Sequence, residues 1–281
     1  MEPISEQQFE QGAEALTVPQ AIANLSHDDL SLRYYAAWWL GKFGSLPEVS
    51  LAERRVAVDA LLEALEDESD RTELGGYPLR RNAARALGKF SDRRAVPSLV
   101  GCLNCSDFYV REAAAQSLGM LGDVSCIAPL IRLLNGGVDA AQFVPGRPHL
   151  TQPYEAVIEA LGMLCAGQAA ELIRPFVNHA VARVQYAATR AMYQLTQEAE
   201  YAERLVQALR GGDVQLRRTA LSDLGAIGYV PAAEAIATSA TENSFKLFAL
   251  KGLLERQVQM DASDELSERA MQVMSLMDTL L

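Results

Sequence analysis

A chain of 281 residues that is 49% apolar but only 7% aromatic, and rich in alanine, has the composition of close-packed helices, not of a sheet. Its net charge of −11 argues against nonspecific binding to the nucleic-acid backbone. There is no apolar run of the roughly 18 residues needed to span a bilayer, no signal-peptide pattern in MEPISEQQFEQ, and four cysteines that read as reduced thiols, so a cytoplasmic protein is expected.

In chain order, residues 5–16 can form a polar helix capping the amino end. LRYYAAWWLGKF then introduces a pattern found seven times: a cationic or polar anchor, alanine three positions on, leucine seven on and glycine eight on. The anchors are Arg33, Arg80, Arg111, Tyr154, Gln185, Arg217 and Lys246. The leucine position holds Leu40, Leu87, Leu118, Leu161, Met192, Leu224 and Leu253, at successive spacings of 47, 31, 43, 31, 32 and 29. A period near thirty, with two helices per unit, is the mark of an α-solenoid. The expected fold is all-α: a superhelix of about seven helix pairs with terminal capping helices, forming one domain over residues 1–281.

First helices of the pairs include Ala95 to Leu103, Cys126 to Leu134 and Ala202 to Leu209, with Pro97 and Pro129 near starts where a missing N–H costs little. Two insertions break the period, residues 66–79 (EDESDRTELGGYPL) and 135–153 (NGGVDAAQFVPGRPHLTQP). Both fall between the two helices of one unit, which places them along one edge as lips over a groove. At the carboxyl end, Ser263, Asp264 and Glu265 are expected to begin a capping helix with the stripe Leu266, Ala270, Val273, Met274, Met277 and Leu280. Such a methionine stripe suits either packing or an adaptable partner surface. Met274 and Met277, with Phe143 and His149 of the second insertion, are the candidates for partner contact.

Helical geometry sorts the columns of the repeat. Positions +3 and +7 share the packed face, and the glycines at +8 permit close approach near the helix end. Asp29, Asp107, Asp213 and Glu242 stand four residues before an anchor, where an acid can cap the helix and bond the cation of a neighbouring unit. On that reading the anchor arginines are structural.

Chemistry carried by this chain alone is not visible. Cys102 and Cys105 lack the second ligand pair of a zinc site, His27, His149 and His179 are scattered, and no phosphate loop appears, so neither a metal nor a catalytic residue is assigned. What remains is the face of the second helices at +1 and +5, expected to line the concave side. It carries Tyr34, Trp38, Arg81, Arg85, Glu112, Glu155, Glu159, Tyr186 and Arg190, a mixture enriched at binding hot spots. Of the two tryptophans, Trp39 is expected to be buried and Trp38 less so.

The segments LRYYAAWWLGKF, CSDFYVREAAAQSLG, PHLTQPYEAVIEALG, RVQYAATRAMYQLT, QLRRTALSDLGAIGYVPAAEAIA and ENSFKLFALKGLLE resemble the E subunits of the heterodimeric E/F-type phycobilin lyases, over roughly Leu25 to Arg256. The likeness is greatest to those serving the phycocyanin α-subunit. It implies a HEAT-like solenoid that pairs with an F-type subunit, binds phycocyanobilin as substrate without another cofactor, and attaches it by a thioether to a cysteine of the apo-phycocyanin α-subunit. The nucleophile would then belong to the acceptor, its thiol adding across the ethylidene double bond of ring A. Under this resemblance Arg81, Arg85 or Arg190 would pair the propionates, and Glu112, Glu155 or Glu159 would accept the pyrrole N–H groups. Tyr34, Trp38, Tyr154 and Tyr186 would stack on the rings. The insertion around His149 would serve as a lid or as contact for the phycocyanin subunit. A noncatalytic scaffold or chaperone for antenna assembly, a bilin-detaching factor and a phycoerythrocyanin-type lyase subunit are the alternatives; the His-Cys motif of the last type's partner is absent here.

Overall fold

The structure, a computed structural model, describes residues 16–261 and 266–281. The expected amino-terminal cap over residues 5–16 lies, all but Leu16, outside them. Among the described residues the chain forms sixteen α-helices and no strand beyond an isolated antiparallel bridge between Phe143 and Leu150. Seven helix pairs follow one another: α1 (Val18–Asn24) with α2 (Leu30–Phe43), α3 (Leu51–Glu66) with α4 (Pro78–Leu87), and α5 (Val96–Cys102) with α6 (Phe108–Leu121). The fourth pair, α7 (Ile127–Arg132) and α9 (Tyr154–Met163), encloses the short α8 (Gly137–Ala140). Then come α10 (Ala170–Ile173) with α11 (Ala182–Thr196), α12 (Ala199–Ala208) with α13 (Val214–Ile227), and α14 (Ala233–Thr238) with α15 (Asn243–Met260). A last helix, α16 (Glu268–Asp278), closes the carboxyl end.

The starts of these helices are written locally. Asp29, Asp107 and Asp213 each accept a backbone N–H at the head of a second helix, and Ser50 with Glu53 forms a capping box. Glu242 precedes α15 without a side-chain cap and instead pairs with Arg218 of the preceding unit. The stretch assigned to the start of the carboxyl-terminal helix, residues 263–265, lies outside the described residues. The described helix begins at Glu268, with the Ser267 hydroxyl accepting the Ala270 N–H. Ala270 and Val273 are buried there, Met277 and Leu280 are half-buried against the same core, and Met274 is exposed.

The chain divides into two compact units, one holding residues up to Leu134 together with Gln142–Ala160, the other Asn135–Ala141 together with Leu161–Leu281. Within the first, α2 packs on α4 and α4 on α6; within the second, α11 packs on α13, α13 on α15 and α15 on α16. The repeat columns make these cores. Ala36, Ala83, Ala114, Val157, Ala188, Ala220 and Ala249 at +3 are all fully buried, as are all seven residues at +7.

The glycines at +8 meet the +6 residue of the next second helix. A methyl group on Gly41 would lie 3.1 Å from Ala86 Cα, one on Gly88 2.5 Å from Ser117 Oγ, and one on Gly162 3.0 Å from Ala191 Cα. A methyl on Gly225 would instead meet Ala249, 3.0 Å from its Cα, while a methyl on Gly252, the +6 residue, would stand 2.6 Å from the Gly225 carbonyl oxygen. Gly252→Ala should therefore lower stability by about 1–3 kcal/mol through overpacking, although alanine is the better helix former. Gly101→Ala, in α5, meets nothing within 4 Å and should raise it by about 0.5–1 kcal/mol. Urea unfolding of the two variants measures both signs.

Candidate functional site

The anchor arginines are committed to the frame. Arg33 donates from Nε to the Leu25 carbonyl at 2.9 Å, from Nη1 to Ser69 and from Nη2 to the Asp67 carboxylate. Arg111 donates to the carbonyls of Cys105 and Thr151 and to Gln152 Oε1, at 2.7, 3.1 and 3.0 Å. Arg217 donates to the carbonyls of Gly211 and Ala240 at 2.6 and 2.9 Å. Each guanidinium thus ties its own turn to the turn of the next unit. The expected ladder of turn acids and cations of a neighbouring unit forms only at Glu242, which bonds Arg218; Asp29, Asp107 and Asp213 use their oxygens on backbone N–H groups. Arg80 pairs with Glu68 and lies over the Tyr77 ring, against the buried Cys102, whose thiol burial pushes up to about 11.

The anchor column is buried at Arg33, Arg80 and Tyr154 and half-buried at the other four positions, and this removes one expected ligand. Tyr154 is 2% exposed, with its hydroxyl 3.4 Å from Thr151 Oγ1, so it packs in the core and cannot stack on a ring outside. The other candidates lie where ligands can reach them. On α2, Trp38 is 40% exposed and Tyr34 half-buried, while Trp39 is buried as expected. Tyr35 and Phe43 flank Trp38 at ring distances of 5.5 and 6.4 Å, and Lys42 Nζ stands 5.3 Å from its centroid. Burial and the Asp70 carboxylate hold the Tyr34 phenol above its ordinary range, so it keeps its proton at neutral pH.

Charge on this face is largely paired. Arg85 lies 3.5 Å from Glu112, one cation and one acid from separate candidate roles. Glu155 and Glu159 are half-buried on α9. In the second unit Tyr186 is half-buried, its phenol raised by burial and by Asp213 and Asp223. Arg190 lines a cavity with Phe248, Lys251 and Arg256, but its Nη1 is 3.2 Å from the buried Asp223 carboxylate.

Arg81 differs from these. Its Nε is buried without a hydrogen-bond partner, as are those of Arg80, Arg190 and Arg217, but unlike theirs its Nη groups form no hydrogen bond or ion pair among the described residues. It lines a cavity of about 610 Å³ in the first unit, built where the two insertions meet. Arg147 of the second insertion reaches the Leu74 carbonyl of the first at 3.4 Å. His149, a candidate for partner contact, is half-buried. Its ring stacks on Phe108 at 4.2 Å and 10°, with Tyr109 edge-on at 5.9 Å. Phe143, 60% exposed, keeps the character of a contact residue, as does Met274; Met277 belongs to packing. The shared edge of the insertions follows from the repeat register. The Phe108–His149 stack, across 41 residues, had no local signal.

No group of three or more histidine, cysteine or acidic residues placed to hold a metal occurs among the described residues. No described helix is long and apolar enough to cross a membrane.

Comparison with known proteins gives these surfaces a setting. A family model described as HEAT repeats matches residues 76–141, and one described as PBS lyase HEAT-like repeat matches residues 32–67. The chain is 61% identical, over the whole of both chains, to the phycocyanobilin lyase subunit alpha of Nostoc sp. strain PCC 7120. It is 42% identical to the bilin biosynthesis protein PecE of the same organism, covering 96% of this chain and 98% of that one. Among solved structures, the complex of CpcE and CpcF of phycocyanin lyase from Nostoc contains a chain 63% identical to this one. It covers 95% of each chain with a TM-score of 0.87.

The stacked imidazole gives the site its own test. His149→Ala should release the second insertion, with amide exchange about 2–10-fold faster at Val144 and Thr151, the range that a 0.5–1.5 kcal/mol aromatic pair represents. These N–H groups donate to the carbonyls of His149 and Gln142. Exchange within α2 and α4 should stay unchanged. Hydrogen–deuterium exchange read by NMR measures both.

Proposed function

The chain belongs to the family of phycocyanobilin lyase alpha subunits, and from that premise we propose that it works with an F-type partner to attach phycocyanobilin to a cysteine of the apo-phycocyanin α-subunit, in the cytoplasm. The likeness over the whole chain to the Nostoc subunit carries this reading. The site geometry supports it: accessible aromatic and cationic side chains occur on the second helices.

In this reaction the acceptor supplies the thiol. The S–H bond adds across the ethylidene double bond of ring A, sulfur to one carbon and a proton to the other, with no change of oxidation state overall. A free thiol, with pKa about 8.5, is already partly thiolate near neutral pH. What the lyase contributes is placement: it holds the tetrapyrrole extended, keeps it from wrong addition, and presents ring A to one cysteine. Trp38 and Tyr34 offer ring faces, and the protonated phenols of Tyr34 and Tyr186 offer hydrogen-bond donors to the bilin oxygens. The paired Arg85 and Glu112 contribute less than their separate candidacy implied, since each screens the other.

Mixing this chain, an F-type partner, phycocyanobilin and apo-phycocyanin α-subunit should give zinc-enhanced fluorescence on a denaturing gel, above the level of spontaneous addition, only when both subunits are present. Trp38→Ala should slow transfer about tenfold, as loss of one stacking contact of 1–3 kcal/mol predicts, without unfolding the protein. Fluorescence at the spontaneous level with both subunits would favour the scaffold reading.

A further inference from the structure

We propose that the cavity where the two insertions meet seats a propionate carboxylate of the bilin, with Arg81 as its cation and the stacked Phe108–His149 pair as the wall beside the adjoining pyrrole. The inference rests on the functional reading above and goes further by naming the part of the substrate this cavity takes.

Charge is the first argument. On a chain of net charge −11, the cavity is lined by Arg81, Arg111 and Arg147 and by a single acid, Asp107. That acid is already occupied: its two oxygens accept the Tyr77 and Tyr109 N–H groups at 2.8 and 2.9 Å. Arg111 adds positive charge, yet its donors point at carbonyls and at Gln152, so it biases the cavity without being the direct partner. Arg147 holds one long contact, to a loop carbonyl, and can swing. Arg81 lines the cavity with no hydrogen bond or ion pair to any described residue. Its side chain is half-buried and its Nε is covered by protein, so the terminal Nη groups are the donors a ligand carboxylate would meet in a charge-assisted bond.

Shape is the second argument. At about 610 Å³ the cavity is far larger than an inorganic anion needs and lies in the range of small-molecule sites. Its wall is aromatic, with Phe108, His149, Tyr109 and Tyr77 beside the cations, and so fits a carboxylate carried on a flat conjugated body. The third argument is economy of sequence. Units elsewhere in the repeat form a helix pair at spacings of 29, 31 and 32 residues with no such segment, and the two insertions come together at this cavity.

The test uses the assembled heterodimer with its F-type partner, titrated with phycocyanobilin and with its propionate dimethyl ester, binding being read from the bilin absorption band. Wild type should bind the ester about tenfold more weakly than the diacid. Arg81→Gln should bind the diacid about tenfold more weakly than wild type and lose most of the preference for it. A melting curve matching wild type establishes that the variant is folded, and the comparison of the two ligands on wild type needs no variant at all. Equal binding of diacid and ester by wild type overturns the proposal, as does an Arg81→Gln complex that keeps the full preference. In either case transfer to the acceptor would persist and the lyase reading would stand. A folded wild-type complex that binds neither ligand overturns both readings together.

Discussion

The stacking depends on a gap too small for a methyl group between consecutive second helices. Position +8 of one unit lies against position +6 of the next, and where contact is closest both are small: Gly41 with Ala86, Gly88 with Ser117, Gly162 with Ala191, Gly225 with Gly252. Interiors packed at crystal density give little room there. The fifth unit departs from the rule in both columns at once. Its +8 residue is Tyr193, which turns to meet Tyr229 edge-on at 5.6 Å, and the facing +6 residue is Asp223, bound by Arg190. A wider joint is filled there by an aromatic pair and a buried ion pair. This explains why Arg190, although it sits on an accessible column, is held to the frame.

Close approach of the helices also brings their turns together, and the anchor arginines exploit this. A guanidinium, with its rigid fork of donors, can bond acceptors of two turns at once. Arg111 and Arg217 do so through carbonyls, and Arg33 through the Leu25 carbonyl and the Asp67 carboxylate. These anchor cations are therefore spoken for by the architecture. Arg81, in the +1 column of α4, is left for a ligand, in the cavity where the two insertions meet.

Much of this was legible in the sequence because helical periodicity is a local signal. The buried columns at +3 and +7, the seven pairs, the burial of Trp39 against the exposure of Trp38, and the common edge of the insertions all follow from register. Tyr154 was misjudged for a reason the register itself contains: it occupies the anchor column, whose arginines Arg33 and Arg80 are buried, so a tyrosine there must pack inward too. The acid–cation ladder forms only in part: Asp29, Asp107 and Asp213 cap helix N–H groups, while Glu242 bonds Arg218 of the neighbouring unit. Met277 follows the packed stripe with Val273 and Leu280, while Leu266 and Met274 lie exposed outside it. His149 could not be placed from sequence, since its position depends on a ring 41 residues away.

The division of labour proposed for the reaction follows from what the accessible face lacks. An enzyme that performs acid–base chemistry needs a group whose proton leaves or arrives near neutral pH, and such groups are commonly tuned by burial and a charged neighbour. Here burial and nearby carboxylates push the phenols of Tyr34 and Tyr186 upward, away from neutrality, and fix them as donors. Glu112 is drawn to Arg85 and Asp223 to Arg190. A surface of fixed donors, screened acids and aromatic faces suits holding a conjugated pigment in one geometry. The reactive sulfur is then best supplied by another protein, and specificity becomes a matter of which cysteine can reach the ring that this geometry presents.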